Sequence, residues 1–180
     1  SGFTHGHDEY IRNLNDRSHH IWTQVKEAIK KYNPGIIGIN AMTASYASAL
    51  NVARIAKGIN AEIKVVLGGP HPTLMPEQVA LNPEVDCVVR GEGELTFLEL
   101  VQNIGCPEKW DKINGITFGR NGMIVSTPSR GMVENLDSLP FPLRQSGVSE
   151  YGGQKNTWIP MITSRGCPFN CTYCASCRIW

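Results

Sequence analysis

Gly35-Ile36-Ile37-Gly38-Ile39-Asn40 is a short apolar run with no polar alternation. A strand covered on both faces of a parallel sheet reads this way, whereas a half-covered strand alternates. Small and polar residues follow, Met42-Thr43-Ala44-Ser45, and then Ala49, Val52, Ala53, Ala56 and Ile59 at helical spacing. The same order repeats. Ile63 to Leu67 is a second apolar run that leads straight into Gly68-Gly69-Pro70-His71-Pro72-Thr73 and a short helix, Pro76 to Leu81, with proline in its first turn. Val85 to Val89 is a third run, ending at Arg90-Gly91-Glu92-Gly93-Glu94. Leu95 to Ile104 follows as a helix that buries Phe97, Leu100, Val101 and Ile104. Ahead of the first run, Ser18 is placed to cap a helix carrying Ile21, Trp22, Val25, Ala28 and Ile29 inward and stopping before Asn33-Pro34. Strands alternating with helices specify an α/β fold, a doubly wound Rossmann- or flavodoxin-like parallel sheet. Right-handed crossovers bring the three strand-end loops to one edge, where ligands bind in such sheets.

The first helix has no strand before it. The sheet is therefore expected to lack its first one or two strands, unless later strands complete it. Ile116 to Phe118 and Met123 to Ser126 flank Arg120-Asn121-Gly122, a hairpin signal. Val133 to Pro142 is punctuated by proline, and residues 143–156 are polar. The chain thus divides into an α/β domain over 1–130 with the hairpin at 116–126, a linker over 131–156, and a second domain beginning at 157–180 with a strand from Trp158 to Thr163. Residues 1–18 show no period, and His5-Gly6-His7-Asp8 reads as an exposed lead-in rather than a metal site.

Composition excludes several classes. The 180 residues carry a net charge of +1 without a basic run, so there is no electrostatic footprint for nucleic acid. No apolar stretch approaches the roughly 18 residues of a membrane helix. Ser1 to His20 lacks a secretory signal pattern. Six cysteines are unevenly spread: Cys87 and Cys106 stand alone, while Cys167, Cys171, Cys174 and Cys177 crowd together. Clustering of this kind suits a reducing cytoplasm better than a disulfide framework. Cys87, inside an apolar run, reads as an inert core thiol.

The crowded cysteines lie in Ser164-Arg165-Gly166-Cys167-Pro168-Phe169-Asn170-Cys171-Thr172-Tyr173-Cys174, a C-x3-C-x2-C spacing. Thiolates are the ligands that iron–sulfur clusters select, usually in fours. Three on one loop can hold three irons of a cubane and leave the fourth open, which implies chemistry rather than a structural staple. The competing reading is a structural zinc site with Cys177 as fourth ligand. Zinc ribbons, however, use two separated C-x2-C knuckles.

The cysteine loop resembles that of radical S-adenosylmethionine (SAM) enzymes. That resemblance implies a [4Fe-4S] cluster on Cys167, Cys171 and Cys174, SAM at the open iron and Tyr173 near its adenine; Cys177 has no counterpart in the motif. A second resemblance spans residues 20–145. Gly38 to Thr43, Val66 to Thr73, Val89 to Glu94 and Leu136 to Pro142 are similar, in order, to cobalamin-binding radical SAM proteins of the anaerobic magnesium-protoporphyrin monomethyl ester cyclase group. It implies a cobalamin site drawn from Met42, Thr43, Ser45, Gly68, Gly69, Pro70, His71, Thr73, Gly91, Glu92, Gly93 and Glu94. The physical reading agrees: a corrin is a broad flat disc, glycines let main chain approach it, and Thr43, Ser45 and Thr73 offer small hydrogen-bonding groups. Glu92 and Glu94 serve equally as helix N-terminal residues favoured by the dipole. His71 follows the wrong strand for the D-x-H-x-x-G cobalt ligand of related mutases, so base-off cobalamin without a protein ligand is expected.

The resemblance implies an enzyme that cleaves SAM reductively to a 5′-deoxyadenosyl radical, for methyl transfer or oxidative cyclisation of a small-molecule substrate. It also implies an electron donor such as flavodoxin or ferredoxin, and no nucleic-acid or membrane partner. The 180 residues hold only the opening of the cluster domain, so they are expected to be inactive alone. With the first strand beside the ligand crevice expected to be absent, weak or no cobalamin binding is expected. Two alternatives stay open: a radical SAM methylthiotransferase acting on tRNA, and a non-enzymatic corrinoid-binding module with a zinc-stapled tail.

Overall fold

In a computed structural model the described residues are 2–141, 149–151, 154–156, 162 and 164–179. They fall into two units, Ser1–Gly131 and Met132–Trp180. The first unit runs α1 (Gly2–Asn15), α2 (His20–Tyr32), β1 (Ile36–Asn40), α3 (Tyr46–Ile59), β2 (Lys64–Gly68), α4 (Pro70–Leu74), α5 (Pro76–Ala80), β3 (Cys87–Val89), α6 (Gly93–Gln102), β4 (Ile116–Arg120) and β5 (Met123–Ser126). Short 3-10 turns occupy Thr43–Ser45 and Pro107–Lys112.

The sheet order is β1-β2-β3-β4-β5. β1 to β3 are parallel, with Ile36 opposite Lys64 and Val66 opposite Cys87. The 116–126 hairpin joins antiparallel to β3 through Val88 opposite Thr117. Asn121 (φ 52°) and Gly122 (φ 76°) take the left-handed conformations of a tight hairpin turn. Later strands therefore extend the sheet, which is mixed rather than wholly parallel. Among the described residues the other edge of β1 carries no strand, and β1 is half-buried to exposed, not covered on both faces as its apolar run suggests.

Alternate residues serve opposite faces. Val65, Leu67 and Val88 pack with Ala49, Ala53 and Ala56 of α3, Ile29 of α2 and Val79 of α5. The alanines let α3 lie close to the strands, since short side chains bring backbone and sheet together. Val66, Cys87, Val89, Ile116 and Phe118 pack on the other face with Leu100, Trp110 and Ile113. Helices on both faces make the fold doubly wound, as the strand–helix alternation implies. Burial pushes the Cys87 thiol up to about 12, as an inert core residue requires.

The N-terminal reading needs correction. Residues 2–15 form α1, and polar contacts tie it down: Tyr10 Oη donates to Ala44 O (3.1 Å) and lies 2.8 Å from Ser48 Oγ. Asn51 Nδ2 donates to Leu14 O and Trp22 Nε1 to Asn13 O, both at 2.9 Å. Trp22 is thus a half-buried clamp rather than core. Ser18 does not cap α2, because its N–H and hydroxyl both donate to Asp16 Oδ1 and hold that carboxyl below its usual range. His19 occupies the cap. Ile21, Ala28 and Val101, expected inward, are exposed.

In the second unit Leu136–Ser138 is a 3-10 turn capped by Asn135, whose Oδ1 accepts from Asp137 N at 3.0 Å. β6 (Ser149–Tyr151) pairs antiparallel with β7 (Gln154–Asn156), and α7 spans Ser176–Ile179. The strand expected over Trp158 to Thr163 lies, Ile162 apart, outside the described residues. Among the described residues no helix is long and apolar enough to cross a membrane.

Asp86 ties the strand starts together. Its Oδ2 accepts from Val65 N at 2.8 Å and meets Lys57 Nζ at 2.7 Å, while Oδ1 lies 3.6 Å from Lys64 Nζ. Lys57 also donates to Ile63 O at 2.8 Å, so the end of α3 is held to the same point. Asp86→Ala leaves two half-buried lysines and a strand N–H without their acceptor. It should lower unfolding stability in urea by about 2 kcal/mol; a change under about 0.5 kcal/mol, the size of an ordinary surface substitution, would contradict this role.

Candidate cofactor site

The carboxyl ends of β1, β2 and β3 meet along one edge, and backbone bonds stitch their loops together. Ala41 N donates to Gly68 O (2.9 Å) and His71 N to Ala41 O (3.1 Å), joining the first loop to the second. Thr43 Oγ1 lies 3.2 Å from His71 Nδ1 across the same seam. Gly91 N donates to Thr73 Oγ1 at 3.0 Å, joining the second loop to the third. The Gly68–Thr73 stretch, read as loop, is in part the helical turn α4: Pro70 starts it, since its fixed φ suits a first turn, and Gly69 precedes it at φ 99°. A Cβ at Gly69 would stand 2.0 Å from Asn40 Oδ1 and 3.1 Å from Ala41 O, so only glycine fits there unstrained.

Beside this seam, on the α6 face, a cavity of about 440 Å³ opens over bare backbone. Gly38, Gly68 and Gly69 line it from the strand ends, with Gly91, Gly93 and Phe97 across from them. Of the residues singled out from sequence, Gly68, Gly69, Gly91, Gly93 and Glu94 line the cavity. Met42, Thr43, Ser45, Pro70, His71, Thr73 and Glu92 do not. Met42 is 63 % exposed on the first loop. Ser45 Oγ accepts from Met42 N at 3.1 Å, Thr43 meets His71, and Thr73 holds Gly91, so these hydroxyls brace the loops. Glu92 takes the N-cap position of α6 without a side-chain cap bond, and Glu94 lies in its first turn.

His71 is only 8 % exposed, with its ring 4.2 Å from that of Tyr46. Tyr46 Oη accepts from Asn82 Nδ2 at 2.9 Å, and burial raises its ionisation above the usual range. His71 Nε2 is buried without a hydrogen-bond partner among the described residues. The histidine thus packs between Thr43 and Tyr46 and does not line the cavity. Sequence reading missed Gly38, Asn40 and Phe97 as lining residues. An isolated glycine within an apolar strand was the available signal, since it marks close approach of another group. Arg90 was also missed: Nη2 donates to Ile116 O (3.2 Å) and to Thr127 O, pinning the hairpin beside the third loop, and burial lowers its ionisation.

In the second unit Cys167, Cys171, Cys174 and Cys177 are all exposed free thiols. Cys174 Sγ lies 3.3 Å from Ser176 Oγ, and hydrogen bonding to Ser176 holds its thiol below the usual range. Tyr173 is 91 % exposed. Among the described residues no three cysteine, histidine or carboxylate side chains are gathered closely enough to hold a metal. The donor set has the right chemistry for an iron–sulfur cluster, but its sulfurs are not assembled.

Residues 4–101 match the model of the B12 binding domain. The chain belongs to the B12-binding domain family. The matched span begins within α1 and ends within α6, so it contains all three strand ends and the glycine cavity. The chain is 40 % identical over 157 residues to an uncharacterised methyltransferase of Pyrococcus horikoshii, covering 86 % of this chain and 34 % of that protein. It is 35 % identical over 169 residues to the anaerobic magnesium-protoporphyrin IX monomethyl ester cyclase of Rubrivivax gelatinosus, covering 87 % and 30 %. The chain therefore spans about a third of the length of these relatives. The solved structure of OxsB, a cobalamin-dependent SAM radical enzyme with aqua-cobalamin and SAM bound, superposes with a TM-score of 0.53 at 21 % identity. That likeness covers 61 % of this chain and 16 % of OxsB, and shows a shared fold.

Two glycines of this B12-binding domain separate steric from torsional demand. Gly69 has φ 99° and no room for a Cβ, whereas Gly91 has φ 67° and nothing within 4 Å of one. Gly91→Ala should cost about 1 kcal/mol of stability, the left-handed penalty alone. Gly69→Ala should cost about 2–3 kcal/mol, because Asn40 can rotate away but the Ala41 carbonyl and the torsion remain. Urea unfolding of both variants checks the order; equal or reversed costs would contradict it.

Proposed function

We propose that residues 1–131 form one wall of a cobalamin site in a cobalamin-dependent radical SAM enzyme, of the methyltransferase or cyclase type. The carrying observation is the glycine-lined cavity at the carboxyl edge of β1–β3, inside the span matched by the B12-binding model. Backbone without Cβ atoms is suited to a large flat ring, and the cavity of about 440 Å³ takes only part of a corrinoid. The lining glycines would hold the corrinoid, and His71, buried and outside the cavity lining, would not contribute a ligand in this reading. Cys167, Cys171 and Cys174 hold a [4Fe-4S] cluster, with Tyr173 beside SAM. When bound, the cluster supplies the electron that cleaves SAM. The substrate is a small molecule to be methylated or cyclised, the electron donor is of the flavodoxin or ferredoxin kind, and the setting is the reducing cytoplasm.

Anaerobic titration with hydroxocobalamin, followed by its visible spectrum, tests the cobalamin wall. Weak but saturable binding is expected. Gly68→Leu should weaken it about tenfold, equivalent to ~1.4 kcal/mol, because Gly68 lines the cavity while its Cβ position meets only ordinary contacts at 3.6 Å or more. No saturable change, or an unaffected variant, overturns the assignment. Iron with acid-labile sulfide after anaerobic reconstitution supports the cluster; zinc without iron replaces it with a structural staple.

A further inference from the structure

Cys177 has no role in the three-cysteine motif, yet the fold turns it back onto that loop. α7 begins at Ser176, and Arg178 N donates to Ala175 O at 2.9 Å, so Cys177 sits in a tight first turn directly after Cys174. Cys177 Sγ lies 3.9 Å from Cys174 O and 3.3 Å from Asn170 Oδ1, the residue preceding Cys171. Cys174 Sγ lies against Ser176 Oγ of the same turn. Both cysteines are exposed, and Cys174 lies two residues ahead of α7 while Cys177 lies within its first turn. A disulfide needs a Cβ separation of about 3.5–4.5 Å, and the Cys177 sulfur already stands 3.9 Å from the Cys174 carbonyl, three residues back along the same exposed chain.

We infer that Cys174 and Cys177 form a redox pair that closes to a disulfide when the loop holds no metal. The oxidant class is a small-molecule disulfide such as oxidised glutathione. One protein sulfur attacks it, forming a mixed disulfide and releasing one glutathione thiol. The second protein sulfur then displaces the other glutathione. Two protein thiols become one disulfide, and the two electrons and two protons leave on two glutathione molecules. The bond removes Cys174 from the donor set, so the loop accepts metal only after reduction. This consequence rests on the proposed cluster; the pairing itself does not.

The test uses the metal-free 180-residue chain, reduced and then treated anaerobically with oxidised glutathione. Peptide mapping by mass spectrometry should find the Cys174–Cys177 cross-link, with loss of two free thiols. Cys177→Ser should lack the cross-link and stop at a glutathione adduct. A cross-link to Cys167 or Cys171 instead, or adducts without any cross-link in the parent chain, overturns the inference. Iron and sulfide are then offered to reduced and oxidised chains. Uptake by the reduced chain only is the expected result. Equal uptake by a cross-linked chain overturns the gating of metal, while failure of the reduced chain refutes the cluster and leaves the mapped pairing intact.

Discussion

At Gly69 the backbone leaves β2 with φ 99° while a neighbouring carbonyl and the Asn40 side chain fill the space a Cβ would take. That torsion lets Pro70 begin a helical turn at once, instead of allowing the strand to run on. The turn brings the His71 N–H to the Ala41 carbonyl and the Thr73 hydroxyl to the Gly91 N–H. Three loops that are far apart in sequence thereby become one surface. Each bond contributes only about 1 kcal/mol net, but together they fix the ledge against which a ligand would lie. The surface is rigid because main chain, not long side chains, makes it.

The two faces of the sheet are covered unequally. α2, α3 and α5 pack over one face, and their alanines and valines leave it closed. On the other, α6 and Trp110 cover β3 and β4, while the ends of β1 and β2 stay open beneath Phe97. An apolar floor left open is costly unless something occupies it. The opening is therefore a consequence of topology: successive right-handed crossovers from β1 to β3 send their helices to the same side, and only the helix after β3 reaches the other.

What was legible in the sequence follows from this physics. Three apolar runs separated by helical periods gave away the doubly wound sheet. β2 and β3 are buried as their lack of alternation implies, whereas β1 lies at the sheet edge and is only half covered. Asn121-Gly122 marked the hairpin, since both positions need positive φ. α1 was not legible: the hydrogen bonds of Tyr10, Asn51 and Trp22 that fasten it have no signature in the sequence period. The cap of α2 was misread because Ser18 prefers the nearer Asp16 carboxylate. At the ledge, glycines could be picked out by type. Which hydroxyl braces a loop and which lines a cavity is a matter of direction, and residue identity does not carry direction.

The cavity and the cysteine loop differ in what organises them. The ledge is already assembled by backbone bonds, so the protein alone fixes its shape. The thiols are correct in kind and spacing but exposed and ungathered. In a loop of that sort a metal supplies the organising energy, because ligation and ordering are thermodynamically one event. Without metal, the same reactivity that makes thiolates good ligands leaves them open to one another. Spacing close enough for three sulfurs to share a cluster also brings pairs of them within reach of a disulfide. An ungathered ligand set is thus a redox-active one, and the position of Cys177, turned back against Cys174, decides which pair closes first.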